Sequence, residues 1–60
     1  MECDICVGAV IVGKNICAKV TFVTTDGYYC DIEDINDGTR DILHVQTIVD
    51  NVRDGVWSLT

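Results

Sequence analysis

Proline is absent from this 60-residue chain, and lysine and arginine together number only four. Without proline, no segment is locked by a pyrrolidine ring, and every turn falls to glycine, asparagine and aspartate. The four bases, Lys14, Lys19, Arg40 and Arg53, are scattered and outline no basic patch. Against ten acids they leave a formal net charge of −6. A surface of that sign repels phosphate, so neither nucleic acid nor an anionic membrane is an expected direct partner. Long apolar runs are missing too: the longest uncharged stretch, 5–13, falls far short of the ~20 residues a spanning helix needs. The opening "MECDIC" carries acid where a secretory signal needs a basic region. The expected location is therefore cytoplasmic, where the four cysteines are expected to be reduced thiols.

What is present is a large apolar share, 48% of the residues, which argues against disorder. A chain of this size makes one domain and buries only about 60% of its unfolded surface. Such domains lean on a disulfide, a metal, a partner subunit or a very regular core. The apolar excess favours self-association, so a homo-oligomer, a homodimer or larger, is expected.

Three Asp-Gly pairs punctuate the chain: Asp26-Gly27, Asp37-Gly38 and Asp54-Gly55. Asp-Gly suits a type I′ hairpin turn, whose two central residues both need positive φ. The strands follow from these turns. Residues 7–12 form a short apolar run, turned by Gly13-Lys14-Asn15. In 16–25, Ile16, Ala18, Val20 and Phe22 share an uncharged face, expected to be the core side. In 28–35, Tyr28, Cys30 and Ile32 share one face, and Tyr29, Asp31 and Glu33 the other. Ile35 breaks that alternation, so the strand is expected to bend, bulge or end near Asp34.

The segment after Asp37-Gly38 reads two ways. Leu43, Val45, Thr47 and Val49 fit a strand, whereas Ile42, Val45, Val49 and Val52 fit a helix. Its Thr and Val content and the lack of a recognisable helix terminator favour the strand, with one short helical turn near 46–48. Asp54-Gly55 is then the last turn, before a closing strand in 56–60. The expected fold class is all-β and mainly antiparallel: a small five- to six-stranded SH3- or Sm-like barrel, or a strongly twisted meander, with at most one short helical turn.

From Lys19 to Val52 the order is strand, Asp-Gly turn, strand with acidic exit, Gly-Thr-Arg turn and apolar strand. The stretches "VTFVTTDG" and "DGTRDILHVQTI", with Arg40 just before the apolar strand, resemble small Sm-like barrels, among them the Rho-inhibitor family Rof and, more distantly, WYL domains. The resemblance covers a little over half the chain, and "MECDIC" has no counterpart in it. It implies an acidic module that binds an RNA-handling protein and blocks it.

Cys3 and Cys6 form a C-x-x-C that is half of a zinc pattern, to be completed by Cys17 and Cys30 or by His44. A zinc ribbon carries a second C-x-x-C, and alternation sends Cys17 and Cys30 to opposite strand faces. No metal and no cofactor are expected, with Cys3 and Cys6 the only metal-ligand candidates. A redox role for the motif needs a helix N-terminus that this segment does not offer. His44, the single histidine, reads as a polar residue on a solvent face, with nothing nearby to supply an oxyanion hole. The chain is therefore expected not to be an enzyme. "DIEDIND" alternates oxygen ligands like a calcium loop but lacks its central Gly and terminal Glu.

Six of the ten acids lie between Asp26 and Asp41. Aspartates in turns bond the local backbone, which accounts for Asp26, Asp34 and Asp37. Asp31 and Glu33 share a strand face with Tyr29, about 7 Å apart, close to the phosphate spacing of a nucleic-acid strand. The expected function is a small acidic nucleic-acid mimic, such as a phage-encoded or accessory regulator or inhibitor. It would engage a basic, nucleic-acid-handling protein through Tyr29, Asp31, Glu33, Asp34, Asp37 and Asp41. Two alternatives stand beside it: a structural homo-oligomer held by Val7, Val10, Val12 and Trp57, and a cysteine-rich, metal-stabilised module.

Overall fold

The computed structural model describes residues 5–60. Its elements run β1 (Val10–Gly13), β2 (Cys17–Val23), β3 (Tyr29–Asp34), β4 (Arg40–His44), α1 (Val45–Arg53) and β5 (Trp57–Leu59). The five strands form a single antiparallel sheet in the order β4-β3-β2-β1-β5. Three tight connections build β1 to β4. The helix α1 follows β4, leads to β5 at the other edge of the sheet and packs on both strands. The result is the expected all-β class, wrapped like a barrel and stoppered by one helix.

The core lies on the inner face of this wrap. Ile11, Val20, Cys30 and Ile48 are fully buried, with Ile5, Ala18 and Ile32 close behind. Val23, Leu43, Val45, Val49, Val52, Trp57 and Leu59 pack around them. Inward and outward residues alternate along β3, and that strand ends at Asp34, before Ile35 would point the wrong way.

On β2 the alternation breaks. Val20 pairs with Ile32, Phe22 with Asp31 and Val23 with Cys30, so Thr21 is an extra residue in the ladder. Such a bulge turns the rest of the strand over. Phe22 therefore leaves the core, 53% exposed, and Val23 takes the inward place. The expected run of Ile16, Ala18, Val20 and Phe22 on one inner face holds only as far as Val20.

The segment after β4 is helical for nine residues, longer than the single turn expected. Val45, Ile48, Val49 and Val52, at i, i+3, i+4 and i+7, form its inward stripe. On the other side, Asp50 Oδ1 accepts from Gln46 Nε2 at 2.9 Å and from Arg53 Nη2 at 2.8 Å. The terminator is the third Asp-Gly pair. Gly55, at φ 81°, sits in the left-handed region. Val56 N–H donates to Asn51 C=O at 2.8 Å and Gly55 N–H to Val52 C=O at 3.1 Å. This is a Schellman closure, so Asp54-Gly55 ends a helix where a hairpin was expected.

The other two Asp-Gly turns are hairpins but not type I′. No residue other than glycine has positive φ among those described, so Asp26 and Asp37 cannot take the first I′ position. Gly27 N–H donates to Thr24 C=O at 2.9 Å, which closes a turn whose last residue is the left-handed glycine. At the opposite end of the sheet, Gly13 pairs with Trp57. A Cβ at position 13 would lie 2.5 Å from Trp57 Cδ1 and 2.9 Å from Ile16 Cγ2, so the indole needs glycine there.

Cys17 and Cys30 carry free thiols, whereas Cys6 is disulfide-bonded. The expectation of four reduced cysteines is corrected at Cys6. Cys3 lies outside the described residues.

Candidate interaction face

The outer face of β2, β3 and β4 carries three of the six residues singled out in the sequence, Tyr29, Asp31 and Glu33. Residues directly opposite on adjacent strands share a face, so the register sorts them into rows. In the first row Glu33 stands between Lys19 of β2 and Arg40 of β4. In the second, Asp31 stands between Phe22 and Ile42. In the third, Tyr29 stands opposite His44, with ring centroids 4.4 Å apart and planes tilted by 42°. Phe22, Tyr29 and Ile42 are all exposed, Ile42 at 65%.

The face is therefore amphipathic, with bases at one end, aromatics at the other and Asp31 among apolar neighbours. Its acids are not a free-standing row. Glu33 has a base across the strand on either side, although the only ion pair within 4.0 Å among the described residues is Arg53–Asp50. Within the first two rows the two acids meet two bases, so the excess negative charge of the chain lies elsewhere.

Much of it lies in the turns, where the carboxylates hold backbone. Asp34 Oδ1 accepts from Asn36 N–H at 2.7 Å and Asp37 N–H at 3.2 Å. Asp37 Oδ1 accepts from Thr39 N–H at 2.8 Å, and Thr39 holds the Asp37 carboxyl below the usual carboxylate range, through its N–H first and its hydroxyl second. Asp26 Oδ1 accepts from the Thr24 hydroxyl at 2.6 Å and from Tyr28 N–H at 3.0 Å, which lower its pKa in that order.

The six expected site residues thus fall into three groups. Tyr29, Asp31 and Glu33 lie together on the outer face. Asp34 and Asp37 gather at the β3–β4 turn, engaged with backbone. Asp41 stands opposite the inward-facing Ile32, on the other side of the sheet from Asp31 and Glu33. Phe22, Ile42 and His44 join the face without having been expected there. Phe22 is hidden by the bulge, and Ile42 and His44 by a register that only the β3–β4 pairing defines.

The cysteines do not converge. Cys17 pairs with Val12 on the outer side, while Cys30 is fully buried against Val23 and Leu43. Burial, and secondarily the Asp31 charge, push the Cys30 thiol up from its ordinary value. No cluster of three His, Cys, Asp or Glu able to hold a metal occurs among the described residues. No described helix is long and apolar enough to cross a membrane. No protein-family model, curated protein or solved structure matches the chain.

Proposed function

We propose that this chain is a small non-enzymatic protein-binding module, a regulator or inhibitor that engages a basic partner through the outer face of β2–β4. One observation carries the reading: Phe22, Tyr29 and Ile42 are exposed side by side around Asp31. Aromatic and aliphatic anchors in the middle of a charged patch are the usual make-up of an interface. Lys19 and Arg40 balance Asp31 and Glu33 on the face itself, so the preference for a basic partner rests on the turn acids Asp34 and Asp37 beyond it and on the chain's net charge of −6. A nucleic-acid-handling protein offers such charge, and occupying its phosphate-binding surface is a direct way to inhibit it. The resemblance to Rof-type modules implies the same kind of task. Against catalysis, His44 lies in tilted ring contact with Tyr29, and the two free thiols among the described residues point to opposite faces of the sheet.

The test is capture of a partner followed by kinetics with two variants. Phe22→Ala removes an anchor and is expected to cost roughly 2 kcal/mol of binding, mostly as faster dissociation. Asp31→Lys with Glu33→Lys is expected to slow association and weaken binding about tenfold. Binding is expected to compete with nucleic acid. A partner that holds both variants as tightly as the parent chain would reduce this face to solvated surface. The same exposed apolar side chains also favour the second reading, a homo-oligomer. Concentration-independent monomeric mass by light scattering would exclude it.

A further inference from the structure

The outer margin of β4 is an unpaired strand edge. Asp34 N–H donates to Thr39 C=O at 2.7 Å, and Val45 N–H to Tyr28 C=O at 2.8 Å. Hydrogen-bonded pairs alternate with non-bonded pairs along an antiparallel ladder. Between these two anchors, Asp41 and Leu43 turn their backbone groups toward β3, and Arg40, Ile42 and His44 turn their N–H groups away. β4 has no strand on its far side, and Arg40, Asp41, Ile42 and His44 are all exposed. The central edge donor, Ile42 N–H, has only a long bond of 3.3 Å, to Oδ1 of Asp41. A carboxylate therefore lies beside the place where an incoming strand must bond.

The geometry points to the β4 edge as the docking site for an extended basic segment of a partner protein, with Asp41 as the residue that selects it. This rests on the binding-module reading above and adds the mode, strand addition. A lysine or arginine opposite Asp41 pairs with its carboxylate and frees Ile42 N–H for an incoming carbonyl. An apolar residue next along that strand lies beside Ile42, continuous with Phe22 and Tyr29 on the outer face. A second copy of the chain is a poor occupant. The antiparallel register overlapping all of β4 sets each Asp41 against Leu43 of the other copy; of the two neighbouring registers, one sets Asp41 against Asp41 and the other sets it against Val45, where the helix begins. Charged residues turned inward on an edge strand are a known guard against self-pairing. Asp41, which the outer face does not use, thereby gains a role.

The probes are three ten-residue peptides: alternating valine and lysine, alternating valine and glutamate, and lysine with proline in place of valine. The last matches the first in charge but cannot add as a strand. With the full chain, the valine–lysine peptide is expected to slow amide hydrogen exchange at Ile42 and His44 by about tenfold or more, and the other two peptides are not. Asp41→Lys is expected to transfer that protection to the glutamate peptide. Ile42→Pro removes the edge donor without touching the β3 ladder and is expected to abolish the protection read at His44. Equal binding of both lysine peptides without protection at Ile42 overturns the proposal. So does an unchanged lysine preference in Asp41→Lys, or a free protein that is dimeric with Ile42 and His44 already protected. A captured partner that loses affinity on Phe22→Ala but ignores Asp41→Lys ends strand addition and leaves the outer-face reading standing.

Discussion

Val20 and Phe22 lie two residues apart on one strand, yet Val20 is fully buried and Phe22 is half exposed. Phenylalanine has the larger apolar surface to hide, so hydrophobicity does not decide between them. Register does: the extra residue Thr21 turns the strand over, and Phe22 lands opposite Asp31 instead of a core residue. The inner face of this sheet is a packing problem already solved. The outer face carries side chains of the same chemistry that the core leaves exposed, and in the proposed reading they serve another molecule.

The comparison can be tested from its strongest consequence downward. Ile48 is the residue of α1 that reaches the closed core. Ile48→Ala is expected to cost about 2–5 kcal/mol, comparable with the ~3–5 kcal/mol a core of this size supplies. Its urea transition should be shifted far down or lost. An unmoved midpoint would place α1 outside the core.

Next comes Gly13→Ala, whose new methyl group meets the Trp57 indole and Ile16. Overpacking of this kind costs about 1–3 kcal/mol, and tryptophan emission should change with it. Equal stability would show that the β1–β5 seam yields easily.

A smaller effect belongs to the turns flanking the outer face. Asp26 and Asp37 have folded pKa values held below their ordinary ones by Thr24 and Thr39 respectively. Their contribution is thus fully present above the ordinary aspartate value and lost as pH falls through the lowered folded values. Asp26→Asn with Asp37→Asn should flatten the acid limb of a stability-against-pH curve. An unchanged limb would assign acid sensitivity to other carboxylates.

The smallest effect is expected at Phe22 itself. Phe22→Ala should change stability by no more than about 0.5 kcal/mol, as surface substitutions do. Chemical denaturation of Phe22→Ala and Val20→Ala side by side is the most direct measure of the difference between the two faces. A large loss at Phe22 would mean that the outer face helps hold the monomer together.

How much of this was legible follows from what is local. The inward Cys30 and Ile32, the outward Tyr29, Asp31 and Glu33, and the end of β3 at Asp34 all follow from alternation within one strand. The bulge was not legible, because an inserted residue looks like any other until its partner strand is known. The helix was legible only as one short turn, for a related reason. Val45, Ile48, Val49 and Val52 spelled its stripe, but its terminator, Asp54-Gly55, resembled the two true hairpins in composition. Packing of that stripe against the sheet outweighs the β preference of its valines and threonine. For the candidate site, the grouping of Tyr29, Asp31 and Glu33 was readable. The company they keep was not, since Lys19, Phe22, Arg40, Ile42 and His44 are brought in by pairing between strands.

The pairing of β1 with β5 also sets an order of events. Every other strand pair joins neighbours in sequence, whereas this one brings Ile11 beside Leu59. Closing so long a loop costs more chain entropy than forming a hairpin, so this pairing should form last and open first. The single tryptophan, Trp57, sits in that seam, packed on Gly13. Its fluorescence is thus a natural clock for the final step of folding. In stopped-flow refolding it should lag behind the far-ultraviolet signal of the hairpins, and in native-state exchange the β5 amides should open before those of β2 and β3.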